Sequence, residues 1–230
     1  TLSSTTSTVV PGGALALPGG RSVPLKGLTK NPFMAEGVVR RDPVGLRQAG
    51  DMAVDVSYAA ADGLRAEGRW SVGDAGEARL EVRLTAPSDG FYSIGFCAFD
   101  AVDRGQVEAI QLPPLYQYQR LPDGPCLLTS SVTPNPLALV QRKPGGAGTV
   151  TWGVTAEPDD LPFRWSGRTN AVYAFGLLNA VGEVQPVAVS PVLGFEGSAR
   201  RAGEEVRARF RLLAVAGEWK EALDRACLGI

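Results

Sequence analysis

The chain has 230 residues, is 44% hydrophobic and 20% charged, and carries a formal net charge of −1 with no histidine. Such a chain can bury a sizeable core, but it lacks the basic stripe of a nucleic-acid binder and any apolar run near the roughly 20 residues of a membrane-spanning helix. Without histidine, a Ser-His-Asp triad, a Cys-His dyad, a His-ligated zinc and a histidine general acid are all impossible within these residues.

The first 50 residues are rich in Thr, Ser, Pro and Gly. Pro11-Gly12-Gly13 and Pro18-Gly19-Gly20 punctuate short candidate strands at 14–17 and 21–25. Regular alternation follows. Met52, Val54, Val56 and Tyr58 alternate with Asp55 and Ser57, and Leu64, Ala66, Gly68, Trp70 and Val72 alternate with Arg65, Glu67, Arg69 and Ser71. Gly73-Asp74-Ala75-Gly76 reads as a hairpin turn into Ala78, Leu80, Val82 and Leu84, opposed by Arg79, Glu81 and Arg83. These are half-solvated antiparallel strands, apolar inward and charged outward. Residues 91–99 are almost continuously apolar and belong between covered faces. Residues 111–136 are irregular, with Pro113, Pro114, Pro122, Pro125, Pro134 and Pro136.

Further strands are expected at 137–141, 149–155, 171–178 and 184–189, with a glycine-rich turn at 145–148. Val206, Ala208, Phe210 and Leu212 then alternate with Arg207, Arg209 and Arg211. From Trp219 the apolar positions become Ala222, Leu223, Ala226, Cys227 and Ile230, the spacing of a helix. This order predicts an all-β chain, a large antiparallel two-sheet sandwich over 1–216, with one C-terminal helix over 217–230. An amphipathic helix must bury its stripe. The expectation is that it opens a linker or a following helical domain of the same polypeptide.

The three cysteines, Cys97, Cys126 and Cys227, have no CxxC spacing. Cys97 and Cys227 read as buried hydrophobes, and a Cys97–Cys126 bridge is left open. The glycine-rich stretches lack the GK[ST] ending of a phosphate loop. Among the acids, Asp159-Asp160 read as solvated loop residues, Asp100 and Asp103 as turn residues, and Glu108, Glu183 and Glu196 as isolated. No pair is singled out for the facing carboxylates of glycoside hydrolysis, and nothing calls for a metal or other cofactor.

The most suggestive stretch is Leu115-Tyr116-Gln117-Tyr118-Gln119-Arg120, framed by prolines. Flat aromatic faces stack on the apolar sides of sugar rings, while amides and guanidinium groups hydrogen-bond the hydroxyls. Tyr116, Tyr118, Arg120 and the loop residue Trp165 are therefore the candidate carbohydrate contacts. The competing reading puts Tyr116 and Tyr118 together on the inward face of an ordinary strand. Trp152 reads as core, and Trp219 as the anchor of the terminal helix.

The many strands, the proline-rich aromatic middle at 112–136 and the late Gly217-Glu218-Trp219-Lys220-Glu221-Ala222 helix resemble the β-supersandwich (galactose-mutarotase-like) module at the front of multidomain glycoside hydrolases, phosphorylases and polysaccharide lyases. The resemblance implies a non-catalytic domain that supports a helical catalytic domain and contributes to binding an oligo- or polysaccharide, in an extracellular or periplasmic location. Mutarotases of this fold pair a histidine acid with a glutamate base. With no histidine here, that chemistry does not carry over, and no catalytic residue is transferred. A free-standing binding or adhesion module and a carboxylate-dependent hydrolase are the alternatives.

Overall fold

Alternating apolar and charged residues build most of this molecule. The computed structural model describes residues 5–8, 14–16, 22–24, 39–41, 43–60, 63–73, 76–133, 136–145, 148–161, 172–179, 182–195 and 197–227. In chain order the strands begin with β1 (Thr5–Thr8), β2 (Ala14–Ala16), β3 (Ser22–Pro24), β4 (Val39–Arg41), β5 (Pro43–Gly50) and β6 (Ala53–Tyr58). Then come β7 (Arg65–Val72), β8 (Ala78–Thr85), β9 (Gly90–Phe91), β10 (Ile94–Cys97), β11 (Val107–Leu112), β12 (Tyr116–Tyr118) and β13 (Leu128–Thr129). The last are β14 (Leu137–Gly145), β15 (Gly148–Ala156), β16 (Ala174–Leu178), β17 (Val184–Ser190), β18 (Ala199–Arg200) and β19 (Glu205–Val215), followed by α1 (Trp219–Cys227). Among the described residues α1 is the one α-helix.

Two sheets dominate. One has nine strands in the order β12-β11-β14-β15-β19-β8-β7-β6-β5, the other six in the order β13-β16-β17-β10-β1-β4. The pairings within both are antiparallel. The sheets face one another across a single large core. Val56, Leu80, Leu84, Ile110, Val140, Val154 and Phe210 from the larger sheet meet Ile94, Phe96, Phe175, Leu177 and Ala188 from the smaller. This is the two-sheet sandwich the alternation predicts. As its continuous apolar run requires, β10 is buried throughout between β17 and β1. The β7–β8 hairpin closes where expected, with the Gly73 amide donating to the Glu77 carbonyl at 2.8 Å and Gly76 in the left-handed region at φ 79°.

The helical stripe lies on the outer face of the larger sheet. Ala222 and Ala226 are buried there against Leu137, Leu139, Leu213 and Val215. Two contacts fix its start. The Trp219 amide donates to Gln141 Oε1 at 3.0 Å, and the Thr151 hydroxyl donates to the Gly217 carbonyl at 2.8 Å. Trp219 holds the helix start through its backbone amide, while its ring packs on Tyr118 and not, as a staple would, in the apolar cluster beneath the helix.

Several expectations are corrected. Cys227 is exposed, because the helix rests on its alanines and the next position turns to solvent, whereas Cys97 is buried with Val187 and Val189. Cys126 is a half-buried free thiol. Met52 precedes β6 in a turn and is exposed. Arg211 points to the outer face as expected but is not solvated there. It lies beside Leu213 on the face approached by α1, only 1% exposed, with its Nε 3.8 Å from Glu77.

Asp160 is not a solvated loop acid either. It ends a short 3₁₀ turn, Pro158–Asp160, and accepts hydrogen bonds from Arg209 through both oxygens. The Tyr173 hydroxyl lies 2.8 Å from Asp160 Oδ2 and 2.7 Å from the Arg209 carbonyl, sharing one proton between two acceptors. Burial, reinforced by the Asp160 charge, pushes the Tyr173 phenol well above its ordinary value of 10.0. A raised folded-state value gives stability that is complete below the unfolded value and lost as pH rises beyond it. The stability gap between the native chain and Tyr173→Phe is therefore expected to narrow above about pH 10, followed by urea denaturation. A gap that stays constant with pH would contradict the buried-phenol account.

Candidate functional site

A pocket of about 360 Å³ opens on the outer face of the larger sheet, where edge strand β12 meets the start of α1. Glu108, Ala109, Tyr118, Gln119, Gln141, Glu218 and Trp219 line it. Its size falls within the range of small-ligand sites, about 300–1,000 Å³. The Tyr118 and Trp219 rings form its apolar corner, centroids 5.8 Å apart and nearly perpendicular at 88°. Edge-to-face packing holds the two rings together and leaves Tyr118 mostly exposed to solvent.

Two breaks in strand periodicity aim side chains into this pocket. The first is at Tyr118. β12 pairs with β11 so that Tyr116 lies opposite Leu112 and Tyr118 opposite Ile110, both core residues. Simple alternation would put both tyrosines on the inner face. Tyr116 obeys and packs, half-buried, against the core, beside the Cys126 thiol to which it is hydrogen-bonded. Tyr118 does not. Its backbone sits in the left-handed region at φ 56°, rare for a residue with a bulky side chain, and its ring lies against Trp219 on the outer side, 60% exposed.

The second break is at Glu108. The register between β11 and β14 slips there, with Val107 opposite Arg142 and Ala109 opposite Gln141. Glu108 is thus the extra residue of a β-bulge, and bulges re-aim side chains. Val107 faces the core, while Glu108 and Ala109 both reach the pocket. Left-handed non-glycine residues cost about 1–3 kcal/mol and cluster at functional sites. One left-handed residue, Tyr118, and one bulge, at Glu108, converge on this cavity.

The other candidates fall elsewhere. Arg120 is exposed in the turn after β12, where its amide donates to the Gln117 carbonyl at 3.1 Å, and it does not line the pocket. Trp165 and Glu196 lie outside the described residues. Trp152 is half-buried against the core. Of the three described sequence candidates, Tyr116, Tyr118 and Arg120, the pocket takes Tyr118 alone. It adds Trp219, Glu108, Gln141, Gln119 and Glu218, of which Gln119 belonged to the aromatic stretch already singled out.

A larger cavity, about 440 Å³, lies further along the same outer face over β5 to β8. Most of its charges are paired. Arg47 holds Asp55 at 2.8 Å, and Arg83 and Arg207 both hold Glu81. A third, of about 410 Å³, is lined by Met52, Val54, Trp70, Val72 and Ala78 among others and is mostly apolar. Among the described residues no three Cys, Asp or Glu side chains gather as a metal site, and no helix is long and apolar enough to cross a membrane.

Fold and pocket together define an antiparallel β-sandwich with an aromatic, carboxylate-rimmed site on the outer face of its larger sheet. No family model and no curated protein matches the chain. Among solved structures it is similar to a putative aldose 1-epimerase from Escherichia coli K12, at 11% identity over 92% of this chain and 84% of that one, with a TM-score of 0.46. A GalM/aldose epimerase homologue from C. elegans is similar at 9% identity over 90% of this chain and 81% of that one, TM-score 0.40. A polysaccharide lyase is similar at 13% identity, TM-score 0.40, over 97% of this chain and 27% of the lyase, so the chain spans about a quarter of that protein.

Proposed function

We propose that this chain is a non-catalytic sandwich domain of a carbohydrate-active enzyme that binds glycan at the Tyr118–Trp219 pocket. The observation that carries the reading is the pair of backbone irregularities that turn Tyr118 and Glu108 onto one cavity. An exposed aromatic corner offers a stacking surface for a sugar ring, and the surrounding amides and carboxylates offer hydrogen-bond partners to its hydroxyls. Two neutral amides, Gln119 and Gln141, both donate and accept, which suits hydroxyl groups that do the same. A helical domain of the same polypeptide is the partner proposed for this setting, in an extracellular or periplasmic location. Binding by the sandwich as an independent module is the second reading. It is favoured by α1, whose apolar stripe is already seated on its own sheet.

Titration calorimetry with a panel of soluble oligosaccharides tests this. Tyr118→Ala is expected to weaken binding at least tenfold, about 1.4 kcal/mol. Because Tyr118 is mostly exposed, its removal leaves the thermal midpoint nearly unchanged. Full binding by a folded Tyr118→Ala variant would remove the pocket from the account.

A further inference from the structure

We infer that the ligand of this pocket carries an ammonium group, which for a glycan means an amino sugar with its nitrogen unacylated. The inference rests on the glycan reading above and narrows it. Among the described lining residues, two are carboxylates, Glu108 and Glu218, two are amides, two are aromatic rings, and none is basic. Carboxylates accept hydrogen bonds and do not donate them, whereas an ammonium has three donors and no acceptor. The match is complementary in both charge and hydrogen-bond sense.

The aromatic corner points the same way. The faces of Tyr and Trp rings are negative, and ammonium groups within about 6 Å of a ring centroid are attracted to them. The protein already uses this attraction at the same ring, with Lys220 Nζ 5.8 Å from the Trp219 centroid. That lysine is itself exposed and does not line the pocket. Glu108 is the more effective carboxylate, since it is half-buried while Glu218 is exposed, and screening by water weakens the exposed one more. It is also the bulged residue, placed there by an irregularity that ordinary sheet pairing does not need. An acidic saccharide would meet two like charges, and a neutral one would leave the carboxylates with hydroxyls alone. The predicted order of affinity is amino, then neutral, then acidic.

The experiment measures binding of the full chain to glucosamine, N-acetylglucosamine and glucose oligomers of equal length. The glucosamine oligomer is expected to bind about tenfold more tightly than the other two, the scale of one cation–π contact with a charged hydrogen bond. Glu108→Gln, which keeps the side-chain shape, should erase that advantage. Glu67→Gln, which removes a carboxylate from the distant β5–β8 groove, should preserve it. Equal loss in both variants would mean that only overall charge matters, and would overturn the inference. Equal affinity for all three oligomers, still abolished by Tyr118→Ala, would overturn the ammonium preference and leave the glycan site standing. Failure of every oligomer to bind would overturn both.

Discussion

Glu77→Gln is expected to destabilise the protein by about 3 kcal/mol or more, the usual cost of stranding a buried charge. Arg211 is 1% exposed, its Nε has no hydrogen-bond partner, and that Nε lies 3.8 Å from the Glu77 carboxylate, which supplies the opposing charge. Gln would keep the shape and one acceptor for Arg79, but not the charge. For a chain this size the midpoint should fall by roughly 6–12 °C. Replacing Arg211 by Met in the same molecule should recover most of the loss, because a buried pair is often matched by apolar side chains of similar volume. The pH dependence has a definite sign. Burial alone would raise the Glu77 carboxyl, but the hydrogen bonds from Arg79 and the charges of Arg79 and Arg211 outweigh it and hold the group below its ordinary value. A lowered carboxyl contributes stability that is present above the unfolded value and lost as pH falls through the folded one. Native and Glu77→Gln stabilities should therefore converge in acid. A variant costing under about 1 kcal/mol at neutral pH would mean that water already screens Arg211.

Phe210→Ala should cost about 3–5 kcal/mol, the range for deleting a fully buried aromatic side chain. Phe210 projects from β19 into the space between the sheets. There it stacks on Phe96 of β10 at 5.7 Å and meets Tyr173 edge-on at 6.2 Å. The three rings join the larger sheet to the smaller, so the cavity left by alanine would open where neither sheet can collapse alone. Urea denaturation measures the loss. A cost below about 2 kcal/mol would indicate that the sheets close over the gap, contrary to the interlocked packing seen here.

Most of the fold was legible because period two is a local signal. β7, β8 and β19 were readable from their own side chains, as was the turn between β7 and β8, and the change of period at Trp219 marked α1. The site was less legible, and the reasons are physical. Tyr116 and Tyr118 are two residues apart, so alternation assigns them one face, and only the left-handed backbone at Tyr118 separates them. Glu108 looked isolated because a bulge is a property of pairing with β14 and not of β11 alone. Trp219 was read for its helix, while its ring partner lies a hundred residues earlier in the chain. The arginines of β19 share one pattern but not one fate. Arg207 pairs with Glu81, Arg209 clamps Asp160, and Arg211 is enclosed with Glu77. The acids that receive them come from β8, the 3₁₀ turn and the β7–β8 hairpin, which no spacing within β19 could announce.

The most direct test of the central claim is a heteronuclear NMR titration of the intact chain with the tightest-binding oligosaccharide of the panel. The account predicts that the perturbed signals cluster at Tyr118, Gln119, Gln141 and the Trp219 indole, with Arg47, Glu67 and Arg69 unmoved. Perturbations centred on the charged groove over β5 to β8, with the Tyr118–Trp219 corner silent, would contradict it.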